Sequence, residues 1–221
     1  MLAVTLAILP AAAAGAETRG TLRFGAMALE LRSSSETPVF GDQVDRAVDR
    51  YNAAAAARDR ALGGTTERID ANDLGVSETL FVATPGIELG GRHYFFRLEA
   101  PLGFSADLRS IGVGIYPLNL QARLRRGLTA YVSAGGTASW LDRPGPGDVG
   151  GLVMLRAAAG VRIASRLVME LGYGAFAIGG TVNRDRLEDM STIPEPGMQP
   201  DDVISAGEAR GLVDVSLGVT F

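Results

Sequence analysis

The sequence predicts an all-β fold, an antiparallel up-and-down β-barrel of eight strands with a helical insertion in its first long connection. Three observations predict it: segments in which apolar and polar residues alternate, connections that alternate between long and short, and an amphipathic final strand in the 221-residue chain. Because successive side chains of a strand point to opposite faces, alternation indicates strands. Eight such segments run over 20–31, 76–89, 92–102, 109–121, 127–141, 152–163, 167–179 and 208–221.

Composition excludes several classes of chemistry. The chain has no Cys and a single His, and its 21 basic residues are all Arg. A disulfide framework, a Cys-based zinc site, a Schiff-base lysine and a multi-histidine metal cluster are therefore excluded. A net charge of −4 gives no electrostatic reason to expect nucleic-acid binding. We expect no cofactor.

The third segment illustrates the alternation. Tyr94, Phe96 and Leu98 share one face of the predicted strand, and Arg97 and Glu99 share the other. The fifth, sixth and seventh segments alternate in the same way, and no charge interrupts the middle of their apolar faces. Each segment therefore predicts a strand with one apolar and one polar face.

Two prolines disturb the pattern. In the fourth segment the apolar phase changes across Pro117, between 111–115 and 118–120, which predicts a β-bulge because one extra residue reverses every following side chain. Pro85 lies inside the second segment, where a closed barrel offers no free edge. We expect that strand either to bulge or to have bounds other than 76–89.

The beginning of the chain predicts a cleaved signal peptide over residues 1–16. An apolar run over 2–14 leads to Ala14-Gly15-Ala16, the small residues that precede a cleavage site, although no basic residue precedes the run. The run is too short to span a membrane as a helix, which takes about 20 residues. Residues 17–221 then form a single β-barrel domain.

The final segment alternates apolar and polar residues as far as Phe221. A half-buried strand of a soluble protein shows the same alternation, but the terminal Phe resembles the closing strand of bacterial outer-membrane β-barrels. With the signal pattern, it makes residues 20–221 similar to the small, eight-stranded, OmpX/OmpA-like members of that class. The resemblance implies location in the bacterial outer membrane, contact with lipid, and recognition of the last strand by the barrel-assembly machinery. The implied assembly signal consists of Val213, Val215, Leu217, Val219 and Phe221.

The lengths of the connections agree with a transmembrane barrel. If the chain starts on the periplasmic side, the outward connections are 32–75, 103–108, 142–151 and 180–207. The opposite connections are Gly90-Gly91, 122–126 and 164–166. Long loops on one side and tight turns on the other are typical of outer-membrane barrels. The long loops are candidates for contact with an extracellular partner.

Charges on the polar phase indicate which face points inward. A soluble ligand-binding barrel would place its apolar phase inside. The polar phase here carries five basic and five acidic residues, and a narrow lumen needs such a balance because buried charges must be paired. The predicted lumen network consists of Arg23, Arg97, Arg156, Arg162, Arg210, Glu78, Glu88, Glu99, Glu170 and Asp214.

Residues 42–62 depart from the strand pattern. Val44, Val48, Tyr51 and Ala55 recur at helical spacing, and Gly63-Gly64 stops the run. A helix over 42–62, in the longest loop, is therefore predicted. A surface arm, a lid over the barrel mouth, a partner-binding helix and a solvated helix packed on neighbouring loops are the alternatives.

Residues for catalysis are sparse. Outer-membrane lipid A deacylases carry a His-x-Ser sequence on the outer side, whereas His93 precedes Tyr94-Phe95 on the periplasmic side. Asp201-Asp202 could bind a divalent cation, but loop carboxylates are usually solvated. We therefore expect a non-enzymatic outer-membrane barrel with a closed, salt-bridged lumen and a structural or surface-interaction role. A small ion or solute channel, a lipid-directed enzyme and a soluble periplasmic ligand-binding barrel remain alternatives.

Overall fold

A ring of antiparallel β-strands forms the body of the protein. The computed structural model describes residues 17–36, 41–143, 148–183 and 204–221. The predicted signal peptide and the pair Asp201-Asp202 lie outside these ranges. Because β1 pairs with both β2 and β10, the first and last strands close the ring. The strands are β1 (Glu17–Leu31), β2 (Val76–Gly90), β3 (Tyr94–Glu99), β4 (Leu102–Phe104), β5 (Arg109–Arg125), β6 (Leu128–Asp142), β7 (Asp148–Ile163), β8 (Leu167–Asn183), β9 (Ile204–Ala209) and β10 (Leu212–Thr220).

The ten strands occupy eight positions around the ring. β3 and β4 both lie between β2 and β5, and β9 and β10 both pair with β8. The segments 92–102 and 208–221, each predicted as one strand, are therefore interrupted. The first interruption contains Pro101, which has no N–H for the ladder. The second is a bend at Arg210 and Gly211, whose φ is +78°.

β2 passes through Pro85 without a bulge, and its bounds are within one residue of the predicted 76–89. Pro85 pairs with Leu22 of β1 on one side. On the other side it faces the interruption between β3 and β4, where the Ala100 N–H donates to the Pro85 carbonyl over 2.9 Å. The regular ladder is absent on that side, so the missing proline N–H leaves no ladder bond unmade.

Pro117 lies in a β-bulge of β5, which confirms that prediction. Ile115 pairs with Gly136 and Leu118 with Ala134, so β5 advances by three residues where β6 advances by two. The pairing of β3 with β5 shifts at the same place. Because the extra residue reverses the phase, Ile115 and Leu118 both lie on the outside of the ring.

The two ends of the ring differ in the length of their connections. At one end, here called the short-turn rim, the turns are 91–93, 126–127 and 164–166. The other end, the long-loop rim, carries the connections 32–75, 105–108 and 143–147. In the turn 164–166, the Arg166 N–H donates to the Ile163 carbonyl over 3.0 Å. Ala164 and Ser165, between these two residues, adopt φ values of 51° and 60°, as the centre of a type I′ turn requires. The predicted alternation of long and short connections is present.

The connection after β1 contains α1 (Gly41–Leu62) and a short 3-10 helix (Ala71–Leu74). The helix predicted over 42–62 is therefore confirmed, and it ends at Gly63, which has a φ of 69°. Within the described ranges, no helix is both long enough and apolar enough to cross a membrane. An apolar cluster packs α1 against the 3-10 helix and β9: Val44, Ala47, Leu74 and Ala206.

The outside of the ring is covered with large apolar side chains. Leu118, Trp140 and Ile111 are 65%, 65% and 62% exposed. Other exposed side chains on this outer face come from every part of the ring: Phe24, Phe81, Leu98, Phe104, Val113, Val132, Val153, Leu155, Met169, Leu171, Tyr173, Val215 and Leu217. The alternation along each strand therefore places the apolar phase outside.

The interior has two zones. Toward the short-turn rim it is polar and charged. Toward the long-loop rim it contains an apolar layer made by Met27, Leu29, Leu31, Val76, Leu80, Leu108, Leu141, Leu152, Met154, Ala177, Ala209 and Leu212. The sequence analysis did not predict this layer. Its signal was available in Leu152–Leu155, where both phases are apolar, a pattern typical of strands buried on both faces.

Candidate functional site: the interior charge cluster

Glu170 of β8 lies at the centre of the charged zone. Its carboxylate accepts hydrogen bonds from three arginines of three other strands: Arg23 Nη1 at 2.5 Å, Arg97 Nη1 at 2.6 Å and Arg156 Nη2 at 2.8 Å. The Tyr131 hydroxyl donates a fourth hydrogen bond over 2.8 Å. The Glu170 side chain is fully shielded from solvent. One carboxylate therefore joins β8 to four other strands from inside the ring.

Two further carboxylates balance the three arginines. Glu99 forms ion pairs with Arg23 and with Arg97, whose Nε lies 2.7 Å from Glu99 Oε1 at an angle unsuited to a hydrogen bond. Asp214 of β10 receives two bonds from Arg156, at 2.7 Å to Oδ2 and 2.5 Å to Oδ1. We call these six residues the interior charge cluster: Arg23, Arg97, Arg156, Glu99, Glu170 and Asp214. Three positive and three negative charges leave it neutral, as burial requires.

Neutral side chains complete the contacts of the guanidinium groups. The Arg97 guanidinium carbon lies 4.4 Å from the ring centre of Tyr116, a cation–π contact. Arg97 also donates to the Ser133 hydroxyl over 3.2 Å. Tyr116 is 1% exposed, so its ring forms part of the interior wall.

A separate pair lies nearer the short-turn rim. Arg162 Nη2 contacts both oxygens of Glu88, at 2.9 and 2.7 Å. Arg162 Nη1 donates to Gln121 Oε1 over 2.9 Å, and Gln121 in turn donates to the Gly91 carbonyl of the adjacent turn over 2.7 Å. This pair is also neutral, and it lies between the charge cluster and the short-turn rim.

Eight of the ten residues predicted for the lumen network form ion pairs inside the ring, and two do not. Arg210 lies on the bend between β9 and β10 with its side chain exposed, so its assignment to the interior was wrong. Glu78 faces inward at the long-loop rim, opposite Leu29, and Leu80 of the apolar layer lies between it and the arginines. It forms no ion pair with any described residue.

Sequence reasoning missed four participants in these contacts: Tyr116, Tyr131, Ser133 and Gln121. Tyr131 lies on the predicted polar face of β6, in phase with Ser133. Tyr116 and Gln121 lie on opposite sides of the Pro117 bulge. Only a correct count through that bulge assigns both of them to the interior.

Glycines give the buried side chains the space that they occupy. A Cβ on Gly172 would overlap Asp214 Oδ2 and the Arg156 guanidinium. A Cβ on Gly160 would overlap the ring of Tyr131, and one on Gly218 would lie 2.5 Å from Arg23 Cγ. The high glycine content of the strands therefore has a local steric reason.

The charge cluster and the apolar layer lie next to each other along the axis of the ring. A cavity of about 70 Å³ separates them. Met27, Leu152 and Met154 bound it on one side, and Arg156 and Glu170 bound it on the other. The described part of the chain therefore shows an interior crossed by successive layers of side chains.

Other chemistry is sparse in the described ranges. They contain no group of three or more His, Asp or Glu side chains that could hold a metal ion. His93 is exposed in the turn between β2 and β3. Every member of the charge cluster except Asp214 is held by two or more partners, so the cluster links several strands of the ring.

The last residue of the chain is hydrogen-bonded to β1. The Phe221 N–H and carbonyl exchange hydrogen bonds of 3.0 and 2.9 Å with Gly20. The five residues predicted as an assembly signal all point outward and are exposed: Val213, Val215, Leu217, Val219 and Phe221.

Comparison of the chain with protein-family models and with curated proteins finds no match. The assignment of a function therefore depends on the geometry described above.

Proposed function

We propose that this protein is a non-enzymatic β-barrel of the bacterial outer membrane. In this proposal its lumen is closed by ion pairs and its long loops face outward in a structural or surface-interaction role. The single observation that carries the proposal is the distribution of polarity, since charged side chains are buried inside the ring and large apolar side chains are exposed outside. This is the reverse of a water-soluble barrel, whose apolar phase faces its interior.

The extent of the outer apolar face supports a lipid environment. Soluble monomers rarely expose contiguous apolar patches larger than a few hundred Å². Here such side chains project from all eight positions of the ring, including Phe24 on β1 and Leu217 on β10. Hydrocarbon would solvate this face without the cost that water imposes. From Thr21 to Met27, β1 is hydrogen-bonded to β10 and the ring is closed. This closure also fits a membrane, where an open sheet edge would leave backbone groups unsatisfied.

The filled interior supports a structural role over a channel. An ion moving along the ring axis would have to pass the Arg162–Glu88 pair, the charge cluster and then the apolar layer. Opening such a path would break buried ion pairs, each of which costs several kcal/mol to separate. The long-loop rim, with α1 packed on it, would then be the part available to an extracellular partner.

Assembly would use the final strand. Its outward residues, from Val213 to Phe221, form the amphipathic face that the barrel-assembly machinery would read, and the same strand closes the ring against β1.

Fractionation of expressing cells, combined with SDS gels of heated and unheated samples, tests the proposal. We expect the protein in the outer membrane, with an unheated band that migrates differently from the heated one. Recovery without detergent in the osmotic-shock fraction would overturn the membrane assignment.

Two measurements test the closed lumen and the absence of enzymatic activity. Purified protein in planar bilayers should give no reproducible single-channel steps, and stable steps would show that the protein is a channel. Mass spectra of lipid A should be identical with and without expression. A mass change that disappears in His93→Ala would establish a lipid-directed enzyme instead.

A further inference from the structure

The wall of the ring has a gap where its first and last strands meet. Regular pairing of β1 with β10 ends at Met27 and Asp214. The next pairing across this seam is the single bridge between Arg32 and Glu208. Between these two pairings, residues 28–31 of β1 do not pair with residues 209–213 on the other side of the seam.

The gap exists because the final ring position bends. Gly211 adopts a φ of 78° and donates its N–H to the Gly174 carbonyl of β8 over 3.0 Å. The bend therefore stays attached to β8 and leaves β1. Leu29 and Leu212 close the gap on the inside as members of the apolar layer.

A cleft of about 670 Å³ occupies the gap, within the range of about 300–1,000 Å³ that is typical of ligand pockets. Four charged side chains line it: Glu30, Arg32, Glu208 and Arg210. None of these four side chains forms an ion pair with another of them or with any other residue in the described ranges. Below the cleft, the outer apolar face begins at Val213, which is 51% exposed.

We propose that this cleft binds the headgroup of a zwitterionic glycerophospholipid, with its acyl chains lying along the outer apolar face. This inference rests on the proposed membrane location. Arg32 and Arg210 would hold the phosphate diester, since guanidinium groups match phosphate oxygens in geometry and charge. Glu30 and Glu208 would accept hydrogen bonds from a primary ammonium group.

The charge balance of the cleft selects this class of ligand. Two arginines alone would suit any anionic lipid, and two glutamates alone would suit a cation. Two of each, without ion pairs among themselves, suit a headgroup that carries both charges. Because the apolar face adjoins the cleft on one side only, the ligand must also be amphipathic.

Native mass spectrometry of the protein released from detergent micelles tests the inference, with phosphatidylethanolamine and phosphatidylglycerol as probes. Both carry the phosphate diester, but only the first carries an ammonium group. We expect wild-type protein to retain phosphatidylethanolamine with about tenfold higher affinity, the effect of one lost charge-assisted contact. Arg32→Gln with Arg210→Gln should weaken both lipids about tenfold, while Glu30→Gln with Glu208→Gln should abolish the preference between them.

A matched control exists across the ring. Arg109 at the start of β5 and Asp142 at the end of β6 are partners in the backbone register. They lie at the same rim, but between two strands whose pairing is regular there. Arg109→Gln with Asp142→Asn should bind both lipids as wild type does. A heat-modifiable band establishes that each variant folds.

The outcomes separate this inference from the proposed function. Protein recovered as a soluble periplasmic species would overturn both. Membrane-embedded protein whose two cleft variants bind both lipids as tightly as wild type would overturn the lipid site alone. Equal retention of the two lipids by wild-type protein would replace the zwitterionic ligand with a general phosphate site.

Discussion

Glu170 is the residue on which the interior depends most. It receives hydrogen bonds from three arginines and from Tyr131, whereas Asp214 receives them from Arg156 alone. Removing one partner of a buried ion pair leaves an uncompensated charge, which is more destabilising than replacing the whole pair by apolar residues. The loss of stability on neutralising each carboxylate should therefore increase with the number of arginines that it binds.

Glu170→Gln should lower the free energy of unfolding by about 3–5 kcal/mol, because three guanidinium groups lose their shared counter-charge. Asp214→Asn should cost less, since only Arg156 is affected and Asp214 is partly exposed. Glu17→Gln, which removes an exposed ion pair with Arg19, should cost less than about 1 kcal/mol. Urea unfolding in micelles, followed by the fluorescence of Trp140, gives all three values. Equal effects of Glu170→Gln and Glu17→Gln would contradict the central role of Glu170.

At the scale of elements, two contacts of α1 fix the loop that contains it. Asn52 exchanges hydrogen bonds with the Ile69 backbone, at 2.9 and 3.1 Å. Asp59 accepts from the Thr66 hydroxyl at 2.7 Å, from the Thr66 N–H at 2.8 Å and from Arg68 at 2.8 Å. These contacts hold the segment after α1 against the helix.

Asp59→Asn should increase trypsin cleavage after Arg60 and Arg68 several-fold while leaving the ring intact, because the amide replaces the charged acceptor. Asp45→Asn, an exposed carboxylate on the same helix, should leave cleavage unchanged. The hydrogen bond from the Thr66 hydroxyl holds the pKa of Asp59 below its usual value. The stabilisation that the Asp59 carboxylate gives is therefore complete above its unfolded-state pKa, about 3.9. It is lost as the pH falls through the lower pKa of the folded state, where the carboxylate becomes protonated. An NMR titration of the Thr66 amide proton that shows no change in this acid range would count against the contact.

The bulge in β5 makes a second prediction at this scale. Deleting Pro117 removes the extra residue but leaves Tyr116 and Asn119 inside and Ile115 and Leu118 outside, so the ring should still close. Deleting Val113 from the regular part of the strand should prevent folding, because it reverses the faces of the residues on one side of the deletion. The heat-modifiable band reports both results. Folding of the Val113 deletion, or its loss in the Pro117 deletion, would show that the bulge does not set the phase of β5.

For the whole molecule, the outer apolar face distinguishes a lipid environment from water. Leu171→Arg, on the outer face of β8, should destabilise a membrane-embedded barrel by about 2–4 kcal/mol if it lies near the bilayer midplane. Leu62→Arg at the end of α1 should have almost no effect, although Leu62 is 72% exposed and Leu171 is 55% exposed. Unfolding from lipid vesicles measures both. In a soluble barrel both substitutions would be tolerated equally, and that result would contradict the membrane proposal.

The sequence by itself determined the parts of this fold that depend on local pattern. Alternation located every position of the ring, the phase change across Pro117 located the bulge, and helical spacing between Asp42 and Gly63 located α1. These features depend on residues close together in the chain, so one sequence is enough to predict them. Balanced charges on the polar phase also identified eight of the interior ion-pairing residues.

Only the tertiary structure decided which charges meet. Arg23 and Glu170 are 147 residues apart, and the closure of the ring brings them together. The alternation pattern assigns both Arg210 and Arg156 to the inward face of a strand. It cannot detect the bend that turns Arg210 away from the interior. The apolar layer and the gap beside β1 likewise arise where strands of different length and curvature meet, and the pairing around the whole ring fixes that geometry.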